Sequence, residues 1–484
     1  MEHGATIGYV SLNEEVTLDQ LPVRGTIPAW LSGSLVRNGP AKFEVGTESF
    51  QHWFDGFAML HRFSFERGRV SYANKFLQSD SYRQSMEQGH IVGASFGTDP
   101  CKAVFKPSMT EVVNANVSIN HVAGAYVAMT EAPLPVVFDP RTLETLGVLE
   151  FDDRLTGHHG SAHPHHDANN HRTISYLTEF GMESQFKVFA IKEDRPEHTL
   201  IGSYPVTMPS YIHSFSISEQ YVIIAEYPYR VNPMELLMRN RPFIENFKWY
   251  PEQGTQLIVM DKGDGSIVAR FSTDAFFSFH HINAFERDGD VFVDLSAYPD
   301  ASIVTNLYLE QLRHNRARVD STSKSEFRRY RLPLSHAADA VTYEVLSRQG
   351  IELPTINYRR SNGRAYGVAY GVSVDKQRPE AVSNELVRAD VNTRTTTIWS
   401  EQDCYPGEPI LVESPDARAE DDGVVLSVVL NAHKGNSFLL VLDAHTFAET
   451  GRAEVPHHVP FGFHGWFFPD IGAGLDPNPF NVKE

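Results

Sequence analysis

Residues 135–150 read PVVFDPRTLETLGVLE, and residues 439–454 read LLVLDAHTFAETGRAE. Each is an apolar run, an Asp, a turn and a second run, which is a β-hairpin written in sequence. Looser copies stand at 187–202 (KVFAIKEDRPEHTLIG), 256–271 (QLIVMDKGDGSIVARF) and 386–401 (LVRADVNTRTTTIWSE). Their turns fall at Asp139, Lys192, Asp261, Asp390 and Asp443, spaced by about fifty residues or rough multiples of that, the period of propeller blades. Elsewhere short apolar runs are broken by Gly, Pro, Asp and Asn, and no low-complexity linker cuts the chain. The expectation is an all-β chain, a β-propeller forming one domain over residues 1–484.

Composition narrows the function. The chain carries 61 Asp+Glu against 42 Lys+Arg, a net charge of −19. Such an acidic surface repels phosphate backbones and speaks against nucleic-acid binding. Cys101 and Cys404 are too few for a disulfide framework and fit a reducing compartment. The N-terminal MEHGATIGYVSLNEEV lacks the apolar core of a signal peptide. No apolar run reaches the roughly 18 residues of a membrane span. A cytoplasmic location is therefore expected. The phosphate loop, the GxGxxG turn, GxSxG and CxxC are all absent, so nucleotide, flavin and nicotinamide binding and serine-hydrolase chemistry lose their usual signals.

Two segments break the strand texture. Residues 232–250, NPMELLMRNRPFIENFKWY, mix Met234, Leu236, Leu237, Met238 and Phe243 with Arg239, Arg241 and Lys248. The mixture reads either as a peripheral membrane patch or ligand entrance, or as a loop packed on a propeller face. Residues 99–109, DPCKAVFKPSM, invite the same two readings.

Histidine is abundant, at 22 copies, and none has the HExxH spacing of a zinc helix. The doublets at His158, His165, His280 and His457 carry little signal by themselves. Four settings differ from a charged surface loop: His163 in SAHPHHD, His213 in IHSFSIS, His280 in FHHINAFE and His464 in GFHGWFF. Each lies beside small or aromatic residues near an apolar strand. Their dispersal suits separate blades that each send one ligand to a common axis, although spacing alone does not establish it.

The ordered motifs resemble the carotenoid cleavage oxygenases. They run from GTIPAWLSGSLVRNGP (25–40) and HWFDGFAMLHRFSF (52–65) through SDSY (79–82), MTEAPLPVVFDPRTLETLG (129–147), SAHPHHD, IHSFSIS, FHHINAFE and ELPTINY (352–358) to GEPILVESPDARAEDDGVVLSVV (407–429) and VPFGFHG (459–465). The resemblance implies a seven-bladed propeller with loops and short helices capping an iron site. It also implies one Fe(II) per chain held by His163, His213, His280 and His464, with His281 left out. Glu131, Glu352 and Glu408 match the family's outer carboxylates and are expected to hold His213, His280 and His464 in that order, leaving His163 without one. Neutral imidazoles suit iron(II), and metal-bound imidazole commonly donates its other N–H to a carboxylate. Dioxygen is then the cosubstrate, and a conjugated double bond is cleaved into two carbonyl products with no further catalytic residue. Val117 matches a position that crowds the iron site, and Thr130 is expected to crowd it with Val117.

DPCK (99–102) and SPDARAEDDGVVLSVV (414–429) resemble the animal carotene oxygenases and the retinal pigment epithelium isomerohydrolase. The stilbene-cleaving branch has Lys where this chain has Thr130, which makes stilbene cleavage the alternative rather than the leading reading. A metal-free binding propeller or a zinc hydrolase is a further alternative, in which the four histidines are incidental. The partners expected are a carotenoid or apocarotenoid and a membrane surface, touched at Met234, Leu237, Met238 and Phe243.

Overall fold

The computed structural model describes residues 4–93, 96–98, 114–152, 155–238, 241–314, 325–334, 340–375 and 383–472, apart from the side chains of Leu237 and Met238. The 99–109 segment, with DPCK and Cys101, and Arg239 lie outside the described residues.

The repeated hairpin is a blade edge, and its Asp explains the turn. Asp139 Oδ1 accepts from the N–H groups of Arg141 and Thr142 (2.7 and 3.2 Å), and Asp261 Oδ1 from Gly263 and Asp264 (2.6 and 3.2 Å). Asp390 accepts likewise from Asn392 and Thr393, and Asp443 from Thr446. A carboxylate that bonds the backbone two or three residues on closes such a turn locally. Four residues after each Asp the chain is left-handed, at Leu143 (φ 60°), Gly265 (73°), Arg394 (59°) and Phe447 (60°). Leu143 and Phe447 are buried there, so packing of the side chain offsets the cost of that backbone. Lys192, in the looser copy, has no carboxylate to do this.

Seven antiparallel sheets follow one another and are numbered as blades. Blade 1 holds Gly33–Lys42, Phe57–Glu66, Arg69–Phe76 and Thr17–Leu18. Blades 2 to 6 span 118–148, 159–206, 216–273, 281–347 and 352–399, and blade 7 spans 404–454. The five turns above all lead into the outermost strand contributed by their own segment. The ring is sewn shut by both ends of the chain. Gly465–Phe468 pairs with Gly33–Lys42 as the innermost strand of blade 1, and Val23–Gly25 pairs with Glu449–Glu454 as the outermost strand of blade 7. The seam is tight: a Cβ placed on Gly39 would lie 2.4 Å from Gly462 Cα, which is why both RNGP and FGFHG carry glycine there.

Short helices and loops lie over one end of the ring. Trp53–Asp55 is tied to Ser302–Asn306 and Leu309–His314 by Trp53 N–H to Leu307 O (3.1 Å) and Leu309 N–H to Gln51 O (2.7 Å). The largest buried cluster joins Trp53, Val304 and Leu309 of these helices to Phe279 and Phe463. No helix among the described residues is long and apolar enough to cross a membrane.

Candidate metal centre

Each blade contributes one residue to the axial site. His464, Glu131, His163, His213, His280, Glu352 and Glu408 come from blades 1 to 7 in that order. The histidines stand at the entry to innermost strands. His280 and His464 immediately precede His281–Arg287 and Gly465–Phe468, while His213 and His163 precede Ser216–Ile217 and His165–Asp167. Buried serines beside them stitch neighbouring blades together. Ser118 Oγ donates to Ala162 O (2.5 Å), Ser161 Oγ to His213 O (2.9 Å) and Ser214 Oγ to Phe279 O (2.6 Å). The polypeptide carrying each imidazole is therefore fixed by its neighbour.

The four imidazoles converge, with one nitrogen from each lying within 4.8 Å of the others. Nε2 of His163 is 3.0 Å from Nε2 of His213, and Nε2 of His280 is 3.2 Å from Nε2 of His464. His213 Nδ1 meets Glu131 Oε1 at 2.7 Å, His280 Nδ1 meets Glu352 Oε2 at 2.5 Å and His464 Nδ1 meets Glu408 Oε1 at 2.7 Å. An ionised carboxylate only accepts, so these contacts place the proton on Nδ1 and leave the Nε2 lone pair facing inward. His163 has no carboxylate partner in these contacts; Ser161 Oγ accepts from its backbone N–H. His281 faces elsewhere, with Nδ1 on Ser216 Oγ (2.8 Å) and Nε2 on the Tyr227 hydroxyl (3.1 Å).

Burial works against a charge on three of these rings. Burial, reinforced by the other three imidazoles, pushes His163 well below the usual range. Burial lowers His464 to about 4 despite Glu408, and lowers His213 despite Glu131. The carboxylates stay charged. Burial would raise Glu131, but His159 and His213 outweigh it and hold it at about 2. Glu352 and Glu408 are likewise lowered against burial, by His280 and by His464 with Arg37 respectively. Neutral nitrogen donors with oriented outer carboxylates fit a divalent first-row transition metal.

Several supporting residues escaped the sequence reading. Arg37 of RNGP forms a buried ion pair with Glu408 and donates to Phe463 O at 2.8 Å. A charge inside the buried strand SLVRNGP was the available signal. Tyr211 donates its hydroxyl to Glu131 (2.9 Å), and His159 Nε2 lies 3.3 Å from the same carboxylate. Phe54, Phe279 and Phe463 wall the cavity beside the imidazoles.

Val117 lies on that wall, and its carbonyl accepts the His464 N–H at 3.0 Å. Thr130 is half-buried and is not part of that wall. Among the described residues of 232–250 the apolar side chains other than Met234 are buried or half-buried. Leu236 is buried, and half-buried Phe243 stacks on His159 with 5.2 Å between centroids and packs against Phe247. An aromatic pocket takes part of the Phe243 ring, which leaves it only partly open to a membrane or an entrance. Met234 is exposed, and no described residue of this stretch lines the cavity.

Comparison with known proteins agrees with this geometry. Residues 9–469 match the model of the retinal pigment epithelial membrane protein family. The mitochondrial carotenoid-cleaving dioxygenase of Mustela putorius furo is 35% identical over 506 residues, covering 92% of this chain and 93% of the relative. The β,β-carotene 15,15′-dioxygenase of Mus musculus is 32% identical, covering 94% of this chain and 90% of the relative. The solved structure of cobalt-substituted Synechocystis apocarotenoid oxygenase superposes with a TM-score of 0.82 at 26% identity, over 96% of this chain and 98% of that one.

Proposed function

The chain belongs to the retinal pigment epithelial membrane protein family, the carotenoid oxygenases, and from that premise we propose that it is an iron(II) dioxygenase cleaving one conjugated double bond of a carotenoid or apocarotenoid. The observation that carries the reading is the convergence of four imidazoles with three of their Nδ1 atoms on carboxylates. His163, His213, His280 and His464 would hold one iron per chain through Nε2. Iron(II) held there would supply the redox chemistry that activates dioxygen. In the overall reaction one C=C and the O–O bond are broken and two C=O bonds form, so no proton or external electron is consumed.

The protein's share is binding, orientation and exclusion of water. Glu131, Glu352 and Glu408 fix tautomer and ring angle, so the four lone pairs stay aimed at one point. Phe54, Phe279 and Phe463 give an apolar wall on which a polyene can lie, and Val117 limits the room beside His464. No acid or base is required of the protein, and Glu131, Glu352 and Glu408 are each committed to an imidazole. Such a polyene is almost insoluble in water, so we place the protein in the cytoplasm, collecting substrate from a membrane surface. Exposed Met234 and Arg241 are the contact proposed for that step.

The test offers β-carotene and a β-apocarotenal in parallel to iron-loaded protein under oxygen, with products identified by mass spectrometry. Two carbonyl fragments whose carbons sum to the substrate are expected. Intact substrate in both cases, or hydroxylated substrate without cleavage, would overturn the proposal.

A further inference from the structure

A second group of histidines stands away from the axis. The innermost strand of blade 3, His165–Asp167, begins shortly after His163 and runs out into an exposed turn, HHDANNH (165–171). His166 and His171 have four residues between them, within the H-x₃₋₅-H spacing of many zinc sites. Both rings meet one carboxylate: His166 Nε2 lies 3.3 Å from Glu193 Oε1, and His171 Nδ1 lies 3.5 Å from Glu193 Oε2. Glu193 stands in the turn after Ser184–Lys192 of the same blade. His121, in Ser118–Val122 of the neighbouring blade, is close enough for its ring to feel both Glu193 and His166.

Other groups hold the turn in place and leave these three side chains free for a ligand. Buried Asp167 accepts from Arg172 Nε (3.0 Å), Asn170 Nδ2 (2.9 Å) and Lys262 Nζ (3.1 Å). The His166 N–H donates to the Tyr358 hydroxyl (3.1 Å), and its carbonyl accepts from Asn362 Nδ2 (2.9 Å). The nearby cations Lys192 and Arg195 face Glu197 and Asp194, so among the described residues Glu193 has only the two imidazoles as ion-pair partners. A hydrogen-bonded pair sits closer, as His213 and Glu131 do at 2.7 Å. Zinc holds N and O donors at about 2.0–2.2 Å, so donors that share a tetrahedron stand about 3.3–3.5 Å apart. The separations at Glu193 are of that size.

We propose that His166, His171 and Glu193 form a second metal site, separate from the axial one, which takes Zn²⁺ with water in the fourth position. Two imidazoles and a carboxylate are a recurrent zinc set, and the affinity order of divalent ions favours zinc over iron(II) on such donors. A net charge of −19 draws cations to the surface. The His171 side chain is 82% exposed, so its ring can swing onto the ion. The entropy lost in ordering it keeps the binding reversible. Bound zinc would clip the turn after His165–Asp167 to the turn after Ser184–Lys192.

The experiment is equilibrium dialysis of iron-loaded protein against Zn²⁺, with both metals counted. The parent should take up one zinc per chain more than a variant carrying His166→Gln and His171→Gln, with equal iron in the two proteins. Both positions are exposed, so the variant should fold and keep whatever activity the parent has. Glu193→Gln should weaken zinc uptake by no less than the roughly tenfold that an outer partner of a metal site is worth. Zinc should also raise the thermal unfolding midpoint of the parent and leave that of the double variant unchanged. A parent that takes up no more zinc than the double variant, or a Glu193→Gln protein that binds zinc as the parent does, overturns the proposal. Equal zinc protection of the parent and the double variant overturns it as well, and none of these results touches the axial site.

Discussion

Glu408→Gln should damage this protein more than Glu131→Gln, because only the first strands a buried cation. Among the described residues Glu408 accepts from His464 Nδ1 at 2.7 Å, from Gly465 N–H at 2.9 Å and from Arg37. The Arg37 and Glu408 side chains are 7% and 6% exposed. Replacing one carboxylate oxygen by NH₂ turns a donor toward another donor and leaves the guanidinium without its counter-charge. Breaking a buried ion pair from one side costs about 3–5 kcal/mol. Glu131 faces His159, His213 and Tyr211 instead, so Gln there weakens hydrogen bonds at about 1–2 kcal/mol. The difference of roughly 2–3 kcal/mol is measurable by urea unfolding of the two metal-free variants at neutral pH, as a shift of midpoint at constant slope. Arg37→Met combined with Glu408→Leu should cost clearly less than the sum of the single changes. If Glu408→Gln and Glu131→Gln unfold at the same midpoint, or the double variant is additive, Arg37 is not compensating Glu408 and the charge argument fails.

Other outcomes follow from the same contacts. Glu131→Gln and Glu352→Gln should each lower iron affinity by about 10- to 100-fold, measured by chelator competition, with the circular dichroism unchanged. Asp294 is fully buried and is held by Arg329 through two bonds (2.7 and 2.6 Å) and by the Tyr366 hydroxyl (2.5 Å). Asp294→Ala should therefore cost about 3–5 kcal/mol in chemical denaturation. Asp55 is buried, which pushes its carboxyl up to about 6 against the pull of the Thr98 hydroxyl and the Phe96 and Gly97 N–H groups. The folded state then binds the proton more tightly than the unfolded state, so stability falls as pH rises from about 4 to 6, by up to about 3 kcal/mol at 1.36 kcal/mol per pH unit. The difference in denaturation midpoint between the parent and Asp55→Asn, followed across that range, should carry this slope.

What could be read in the sequence divides by range. The blade turns were legible because an Asp bonding the N–H groups two and three residues ahead is local chemistry, visible at Asp139, Asp261, Asp390 and Asp443. The histidines were a different matter. Their convergence depends on a ring that closes only when Gly465–Phe468 meets Gly33–Lys42, and no periodicity encodes that. Family motifs, rather than spacing, pointed to them. Arg37 and Glu408 are 371 positions apart and meet across the same seam, so nothing near Arg37 in SLVRNGP names its partner. Phe243 shows the same limit from the other side. An apolar residue among basic ones has no sign in its own neighbourhood that His159 waits on the inner side. Tyr227 and Ser216 similarly decide that His281 faces away from the axis, which the doublet in FHHINAFE does not tell.

The most direct test of the iron reading is metal analysis of protein purified without added metal and then loaded anaerobically with Fe(II). Iron near one equivalent per chain is expected. It should be lost when His163, His213, His280 or His464 is replaced by Ala, and kept in His281→Gln, whose parent ring is committed to Ser216 and Tyr227. Zinc in place of iron, no bound metal, or full iron retention in any of the four Ala variants would contradict the account.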